Sequence, residues 1–235
     1  MIASLQLDAL AAEPGLAHAF STLAAGEMAR RRDGEPVATP ARRAFLAEHG
    51  FDAERLATVG AVHGARVQRV DEPRGVVAGV DGLVTDRPDL PLLATFADCC
   101  PVLLYDPAQC AVALCHAGWR GTAAGIAAAG VRALAQEYGS RPQDLICGLG
   151  PSICGTCYEV GPEVASRFDG VGVVRGPAGR ALLDVGEVNR RQLLAAGVRG
   201  ERIHRHRLCT REDERLPSHR RDHDGRRFAA VVALR

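Results

Sequence analysis

The sequence predicts an α/β fold, and two observations support this prediction. Short apolar runs typical of buried strands recur along the 235 residues, and amphipathic stretches typical of helices lie between them. No internal repeat, linker or low-complexity segment divides the chain, so we expect one domain over residues 1–235. This length is sufficient for a sizeable hydrophobic core, and the 47% content of apolar residues is ordinary for a globular protein.

Strands are predicted where apolar runs are bounded by turn residues. The predicted strands are Gly15–Thr22, runs on both sides of His63, Val76–Val84, Leu92–Phe96, Pro101–Asp106, Ala111–Cys115, Leu145–Leu149, Ile203–Cys209 and Phe228–Leu234. Between them, the polar segment 26–40 predicts a surface loop, because three consecutive arginines precede an Asp-Gly pair at its centre.

Helices are predicted where a capping signal precedes an amphipathic stretch. Thr39 and Pro40 open a helix over Ala41–His49, and a longer helix extends from Thr122 to Tyr138 with Gly139 as its stop. Asp184 and Glu187 form a capping-box pattern for a helix that ends at Gly197. A short helix is expected after Pro162.

The stretch from Thr95 to Thr122 carries the strongest functional signal. Its two apolar runs flank a turn that begins at Asp106, which predicts a β-hairpin. The outer ends of a hairpin lie side by side, so we expect Cys99 to lie close to His116. A thiol and an imidazole that meet at a sheet end make either a metal site or a nucleophile with its base.

His63 adds a third candidate donor beside a strand and a glycine. One cysteine and two histidines leave a fourth tetrahedral position open, which is the pattern of catalytic rather than structural zinc. Arg120 precedes the helix at Thr122 and is either an anion-binding residue or a surface arginine.

Three further groups have weaker signals. Cys154 and Cys157 form a C-x-x-C pair without a second such pair, so we expect two reduced, free thiols. Within the basic loop Ser218–Arg227, the segment Ser218–Asp222 predicts a phosphate site, a solvated run of charges or, as a third option, a nucleic-acid patch. The H-x-H pair of His204 and His206 is expected to lie on one strand face and to be exposed to solvent.

Charge and cysteine content limit the partners and the compartment. The net charge of +1 favours neither nucleic acid nor an anionic membrane as a partner. No apolar run approaches the ~20 residues of a membrane-spanning helix, and the N-terminus lacks the pattern of a signal peptide. We therefore expect a cytoplasmic protein whose eight cysteines are reduced. The sequence predicts no oligomeric state.

Several motifs together resemble those of the YfiH family, also called the polyphenol-oxidase laccase family. The matching segments are Val62–Val67, Ala97–Cys99, Cys115–Gly121, Gly150–Ile153, Cys157–Gly161, Leu183–Asp184 with Asn189, and Ser218–Asp222. The resemblance extends from about His18 to the C-terminus, and the ADC and HAGWRG segments are its most specific parts. The better-supported activity of the family is purine nucleoside phosphorylase, with adenosine deaminase and methylthioadenosine phosphorylase side activities.

The resemblance implies a layered fold of mixed sheets flanked by helices, like the catalytic domain of cytotoxic necrotizing factor. It implies a purine nucleoside and phosphate as substrates, and zinc as the cofactor, with copper as the alternative metal. The residues it implies are the metal ligands His63, Cys99 and His116, the catalytic Cys99, His116 and Arg120, and the substrate-binding Ser152, Arg220 and Arg221. Cys99 rather than Cys100 is the implied ligand, and alternation along a strand also directs these two side chains to opposite faces.

The sequence departs from the family pattern in loops that are expected to face substrate. Leu23 replaces an arginine, Ala61 replaces a glutamine, and His219 replaces a tyrosine, while the usual asparagine-rich segment is not recognisable in residues 26–40. These changes predict altered substrate choice with an intact metal site. Three alternatives remain: a copper polyphenol oxidase, a metal-free hydrolase with Cys99 as nucleophile and His116 as base, and a non-catalytic binding protein.

Overall fold

Two six-stranded mixed β-sheets lie face to face at the centre of the fold. The computed structural model describes residues 3–29, 37–168, 170–176 and 180–235, so residues 30–36 of the predicted surface loop lie outside the described residues. Numbered in chain order, the strands of the first sheet are β1 (Ser4–Leu5), β2 (Leu16–Ser21), β15 (Phe228–Leu234), β7 (Leu92–Phe96), β3 (Ala57–Gly60) and β5 (Gly75–Ala78). Pairing is antiparallel from β1 to β7 and parallel from β7 to β5.

The second sheet contains the predicted hairpin at its centre. Its strands, in spatial order, are β14 (Ile203–Arg205), β10 (Ile146–Leu149), β8 (Cys100–Asp106), β9 (Ala111–Ala117), β6 (Gly82–Thr85) and β4 (Val67–Arg69). The outer pairs β14/β10 and β6/β4 are parallel and the inner pairs are antiparallel. A small antiparallel sheet contains β11 (Glu159–Val160), β13 (Ala181–Leu183) and β12 (Val173–Arg175).

Helices cover the outer faces of the two large sheets. The helices are α1 (Asp8–Ala11), α2 (Pro40–Glu48), α3 (Trp119–Ala123), α4 (Ile126–Tyr138), α5 (Pro162–Ala165), α6 (Val185–Ala195) and α7 (His219–Asp222). Phe45 and Leu46 of α2 pack against the first sheet, and α4 and α6 pack against the second. The predicted arrangement of mixed sheets flanked by helices is therefore confirmed.

Strand β15 shows why the central strands are continuous apolar runs. Phe228, Ala230 and Val232 contribute to the core between the two sheets, whereas Ala229 and Val231 pack with the α2 layer. Successive side chains alternate between faces, and both faces of this strand are buried, so no polar position interrupts the run.

The predicted hairpin is confirmed in strands β8 and β9, which pair from Cys100 opposite Ala117 to Asp106 opposite Ala111. The side chain of Asp106 accepts hydrogen bonds from the backbone N–H groups of Ala108, at 2.9 Å, and Gln109, at 3.2 Å. This Asp-x-x turn closes the hairpin in the way its sequence indicates.

Three predicted elements differ from the structure. The strand predicted over Val76–Val84, a run interrupted by Asp81 and Gly82, is divided into β5 of the first sheet and β6 of the second. The helix predicted over Thr122–Tyr138 is divided into α3 and α4, because Gly125 adopts a left-handed conformation with φ +82°. The strand predicted over Ile203–Cys209 ends at Arg205. Beyond it, the Leu208 N–H donates to the ring Nδ1 of His206 at 3.2 Å, and this local bond competes with sheet pairing.

His204 and His206 are half-buried rather than solvent-exposed, which corrects the expectation from the H-x-H pattern. His206 contacts the ring of Phe20 edge-on, with a centroid distance of 6.2 Å, and burial lowers its pKa. In the parts of the chain that are described, no helix is long and apolar enough to cross a membrane.

His18 is a buried histidine of strand β2 whose protonation affects the stability of the fold. Its Nε2 accepts the Leu7 N–H at 2.9 Å, and burial, followed by the nearby charge of His49, lowers its pKa from 6.5 to about 4. The unfolded chain binds this proton more readily than the folded chain. Stability from this group is therefore complete above pH 6.5 and declines towards pH 4, by at most about 1.4 kcal/mol per pH unit.

We predict that His18→Gln, which retains an acceptor but does not titrate, loses less stability on acidification than the unsubstituted protein. Urea unfolding of both proteins at about pH 7.5 and about pH 5 measures this difference. A parallel decline of the two proteins would contradict the assignment.

Candidate functional site

The buried carboxylate of Asp81 fixes the loop that carries His63. Asp81 Oδ1 accepts the backbone N–H groups of Val62, at 3.2 Å, and His63, at 2.7 Å, while Oδ2 accepts that of Gly64 at 2.7 Å. His63 has a left-handed φ of +64°, which a non-glycine residue adopts only where contacts hold it. The carboxylate thus sets the position from which the imidazole of His63 projects.

His116 lies at the end of β9, on the face between the two sheets. Its backbone N–H donates to the carbonyl of Asp81 at 2.7 Å. Its ring stacks on Phe96 with a centroid distance of 5.0 Å and meets the ring of His63 edge-on at 5.1 Å. Among the described residues, Nδ1 of His116 is buried without a hydrogen-bond partner, 3.8 Å from Asp81 Oδ1. The ring is therefore held by packing and retains an unsatisfied nitrogen.

Cys99 follows a second left-handed residue, Asp98, with φ +80°. The carboxylate of Asp98 accepts the hydroxyl of Thr210 and the backbone N–H of Arg220, each at 2.7 Å, so this turn is fixed from both sides. Cys100 is fully buried in the core beneath α4 and α6, whereas Cys99 packs against the core between the sheets. The two thiols point to opposite faces, as strand alternation predicts.

The structure brings His63, Cys99 and His116 together, with one possible ligand atom from each within 4.8 Å of the others. A Cβ atom added at Gly118 would lie 3.0 Å from both Cys99 Sγ and the ring of His63, so glycine keeps the space between these donors open. Two imidazoles and a thiol are a donor set that suits zinc or copper, and the unsatisfied nitrogen of His116 is consistent with an ion here.

Burial adjusts the protonation of these donors. It lowers the pKa of His116 to about 3, assisted by the nearby His63 and Arg227, so the imidazole stays neutral and keeps a lone pair. Burial and then the charge of Asp98 raise the pKa of the Cys99 thiol to about 12. The thiolate therefore forms at neutral pH only with a cation beside it.

The three donors line a cavity of about 590 Å³, a volume typical of small-molecule sites. Its other lining residues are Val59, Ala61, Ala94, Thr95, Ala97, Asp98, Gly118, Trp119, Arg120, Ile153, Tyr158, Val185, His219, Arg220 and Arg227. Ala61 and His219, two positions where the sequence departs from the family pattern, thus lie on the cavity surface.

Arg120 and Arg220, together with Arg227, give this cavity positive charge. The guanidinium of Arg120 stacks on Trp119 with its carbon 4.2 Å from the ring centroid, and that of Arg220 lies 5.0 Å from the ring of Tyr158. Arg220 also donates to the backbone carbonyl of Glu159 at 2.9 Å. Within the described ranges neither arginine has an ion-pair partner, so both retain N–H donors for an anion.

Two residues that the resemblance implies as substrate contacts do not line the cavity. The guanidinium of Arg221 donates to the carboxylate of Asp222, at 2.6 and 2.9 Å, and to the carbonyls of Thr210 and Leu216. Ser152 is buried, and its backbone pairs with Cys209. In the structure both residues hold the neighbouring segments in place.

Sequence reasoning did not identify Asp81 or Arg227 as site residues. Asp81 had a usable signal, since it is a carboxylate inside the apolar run Val76–Val84, and a buried carboxylate requires partners. Arg227 lies within the basic segment Ser218–Arg227, where charge alone does not separate a cavity arginine from a surface one.

Comparisons with known proteins agree with the fold and the motifs. A family profile described as multi-copper polyphenol oxidoreductase laccase matches residues 17–235. A Deinococcus radiodurans protein named purine nucleoside phosphorylase is 38% identical, with 93% of this chain and 90% of that protein covered. A protein named adenosine deaminase RL5, from an unknown prokaryotic organism, is 35% identical, with coverages of 73% and 71%.

A solved structure shows the same architecture. The crystal structure of the Bacillus licheniformis hypothetical protein YfiH superposes with a TM-score of 0.84 at 28% identity, covering 94% of this chain and 93% of that one. The sequence profile, the relatives and the shared fold together establish that this chain belongs to the YfiH family, the family of the multi-copper polyphenol oxidoreductase laccase profile.

Proposed function

We propose that this protein is a zinc-dependent purine nucleoside phosphorylase that converts adenosine or inosine and phosphate into the free base and ribose 1-phosphate. One observation carries the proposal: a His-Cys-His donor set and two arginines without ion-pair partners share one cavity. The name of the Deinococcus radiodurans relative supports the same activity.

The reaction requires an anion and a nucleoside to be held in line. A phosphate oxygen attacks the anomeric carbon of the ribose, the bond from that carbon to the purine nitrogen breaks, and the base leaves with a proton. The sugar develops oxocarbenium character, so groups that aim the anion at the anomeric carbon lower the barrier. Arg120 and Arg220 are placed for this role, since planar guanidinium groups bind phosphate oxygens in pairs.

His63, Cys99 and His116 would hold the zinc ion, which would supply Lewis acidity at this end of the cavity. The chain contributes the orientation of these donors: Asp81 fixes the His63 loop, and Phe96 fixes the ring of His116. Trp119 and Tyr158 line the same cavity and carry the stacked guanidinium groups of Arg120 and Arg220, so they help to position the two arginines.

Adenosine deaminase and methylthioadenosine phosphorylase activities are proposed as side reactions of the same cavity. Deamination uses the same bound purine but replaces phosphate by water as the nucleophile. The protein named adenosine deaminase RL5 supports this extension. The altered positions Ala61 and His219 lie on the cavity surface, so they are expected to change which nucleoside is preferred.

A copper polyphenol oxidase is the main competing function, as the description of the family profile indicates. A multicopper enzyme needs several histidine-rich sites. In the described ranges, the groups close enough to hold an ion are His63 with Cys99 and His116, and a second cluster without histidine. The donor geometry therefore favours one catalytic ion.

The ligand assignment predicts different effects for two adjacent cysteines. Cys99→Ser should remove about one equivalent of zinc per chain, because its thiol lies among the donors, whereas Cys100→Ser should retain it, because that thiol lies on the opposite strand face. Metal analysis of both variants, purified without added metal, checks this result. Equal zinc contents would refute the assignment.

Asp81→Asn tests the orientation of His63. In the native protein the His63 loop donates to both carboxylate oxygens of Asp81, whereas an asparagine amide offers only one acceptor oxygen. The loop should therefore be held less firmly in the variant. We expect zinc affinity to fall by roughly 10- to 100-fold, as for other residues that orient metal ligands. Competition with a chelator measures the affinity, and Asp8→Asn, an exposed acid outside the site, is the matched control. Unchanged affinity in Asp81→Asn would show that the carboxylate does not position the ligand.

Arg120→Ala tests the reaction type. Loss of this guanidinium should lower kcat/KM for phosphate by about 10²-fold, the effect of removing one charge-stabilising donor, while zinc content stays unchanged. Chromatography of adenosine, inosine, adenine and hypoxanthine, with and without phosphate, measures turnover, and Arg132→Ala on the exposed face of α4 is the control. Base release that does not depend on phosphate would instead indicate a hydrolase, and no release from zinc-loaded protein would indicate a binding protein.

A further inference from the structure

A second cluster of metal-ligating side chains lies outside the proposed catalytic donors. Cys154 and Cys157 follow β10, Cys209 and Glu212 follow β14, and one possible ligand atom from each lies within 4.8 Å of the others. The C-x-x-C pair, which the sequence predicts to be two free thiols, therefore has two further partners that are distant in sequence.

The two halves of this cluster fold as matching turns. The carbonyl of Cys154 accepts the N–H groups of Cys157 and Tyr158, both at 3.0 Å. The carbonyl of Cys209 likewise accepts those of Glu212, at 3.2 Å, and Asp213, at 2.9 Å. Each turn directs its first and fourth side chains towards the other turn, as paired ligand turns do in structural zinc sites.

Direct bonds hold the two turns together. The Cys154 N–H donates to Cys209 Sγ at 3.3 Å, and the Cys157 thiol donates to Glu212 Oε1 at 3.3 Å. Next to them, the Thr210 N–H donates to the carbonyl of Ser152 at 3.2 Å. The sulfur and carboxylate atoms thus converge at one point, and the guanidinium of Arg211 donates to the backbone carbonyl of Cys157 beside them at 3.1 Å.

We propose that Cys154, Cys157, Cys209 and Glu212 bind a second, structural metal ion, a thiophilic divalent cation such as zinc. Three thiolates and one carboxylate complete a tetrahedral set, so no position remains for substrate. On binding, the three thiols release their protons to solvent, and the cation offsets the negative charges that would otherwise repel one another.

This ion would join two segments that shape the catalytic cavity. Ile153 and Tyr158, which flank the first turn, line the cavity, and Thr210, next to Cys209, donates to Asp98 beside Cys99. The second site therefore stabilises the cavity surface without supplying a group to the reaction. Its existence does not depend on the proposed activity.

Metal counting tests the proposal. Protein purified under reducing conditions without added metal should contain about two zinc ions per chain, since each site binds one. Cys209→Ser and Cys99→Ser should each lose one ion, and the double variant should lose both. Cys110→Ser, an exposed thiol outside both clusters, should keep both. A Cys209→Ser variant with the same zinc content as the unsubstituted protein would overturn the proposal.

A milder variant covers the case in which Cys209→Ser fails to fold. Glu212→Gln removes one exposed charge and leaves all three thiols, and it should weaken the second zinc by at least roughly tenfold in a chelator competition. Unchanged affinity would count against Glu212 as a ligand and against the four-donor site.

Cobalt(II) loaded into the Cys99→Ser protein gives an independent readout. Thiolate-to-cobalt absorption should be intense in the Cys99→Ser variant. It should be weaker in the double variant that carries both Cys99→Ser and Cys157→Ser. No thiolate absorption, together with a mass lower by two hydrogens before reduction, would identify a disulfide among these cysteines and overturn the metal site. Because metal count and absorption are measured without turnover, failure of the proposed function would leave these results unaffected.

Discussion

The site depends on one buried carboxylate. Asp81 accepts three consecutive backbone N–H groups from the His63 loop, and its own carbonyl accepts the N–H of His116. Without this group the loop would contain three unsatisfied donors, and His63 would lose the contacts that hold its left-handed backbone. Helix α3 then packs closely on the loop: a Cβ atom at Gly121 would lie 2.6 Å from the carbonyl of Gly64. Asp81 thus links His63, through its side chain, with His116, through its backbone carbonyl, and the loop it fixes contacts the helix that carries Arg120.

On the opposite side of the cavity, the carboxylate of Asp98 fixes the backbone as that of Asp81 does. Asp98 lies in a left-handed turn, and its carboxylate receives donors from Thr210 and from the backbone of Arg220. Of these residues, Thr210 belongs to a segment that the proposed second metal ion would join, since it follows Cys209. The cavity is therefore formed by loops whose backbone positions are fixed by buried or half-buried acids, while the sheets beneath supply Phe96 and His116.

Local patterns predicted the parts of the site that follow from strand geometry. The hairpin turn at Asp106 placed Cys99 near His116, and alternation separated Cys99 from Cys100. The position of His63 beside a strand and a glycine made it a candidate donor, and the family motifs implied its role as a ligand, but hairpin geometry alone cannot place it next to Cys99 and His116.

The other parts of the site depend on contacts between segments that are distant in the chain. Cys154 meets Cys209 across 55 residues, and Thr210 meets Asp98 across 112, and no periodicity encodes such pairings. The same limit applies to Arg221: its basic neighbourhood suggested phosphate, but Asp222 and nearby carbonyls occupy its guanidinium.

The most direct test of the account is anomalous diffraction from crystals of the purified protein, soaked with phosphate and a nucleoside, on both sides of the zinc absorption edge. The account predicts an anomalous peak between His63, Cys99 and His116, with phosphate density beside Arg120. Crystals grown from zinc-loaded protein that show no anomalous peak among these three side chains would contradict the account. Phosphate bound away from the cavity would contradict it as well.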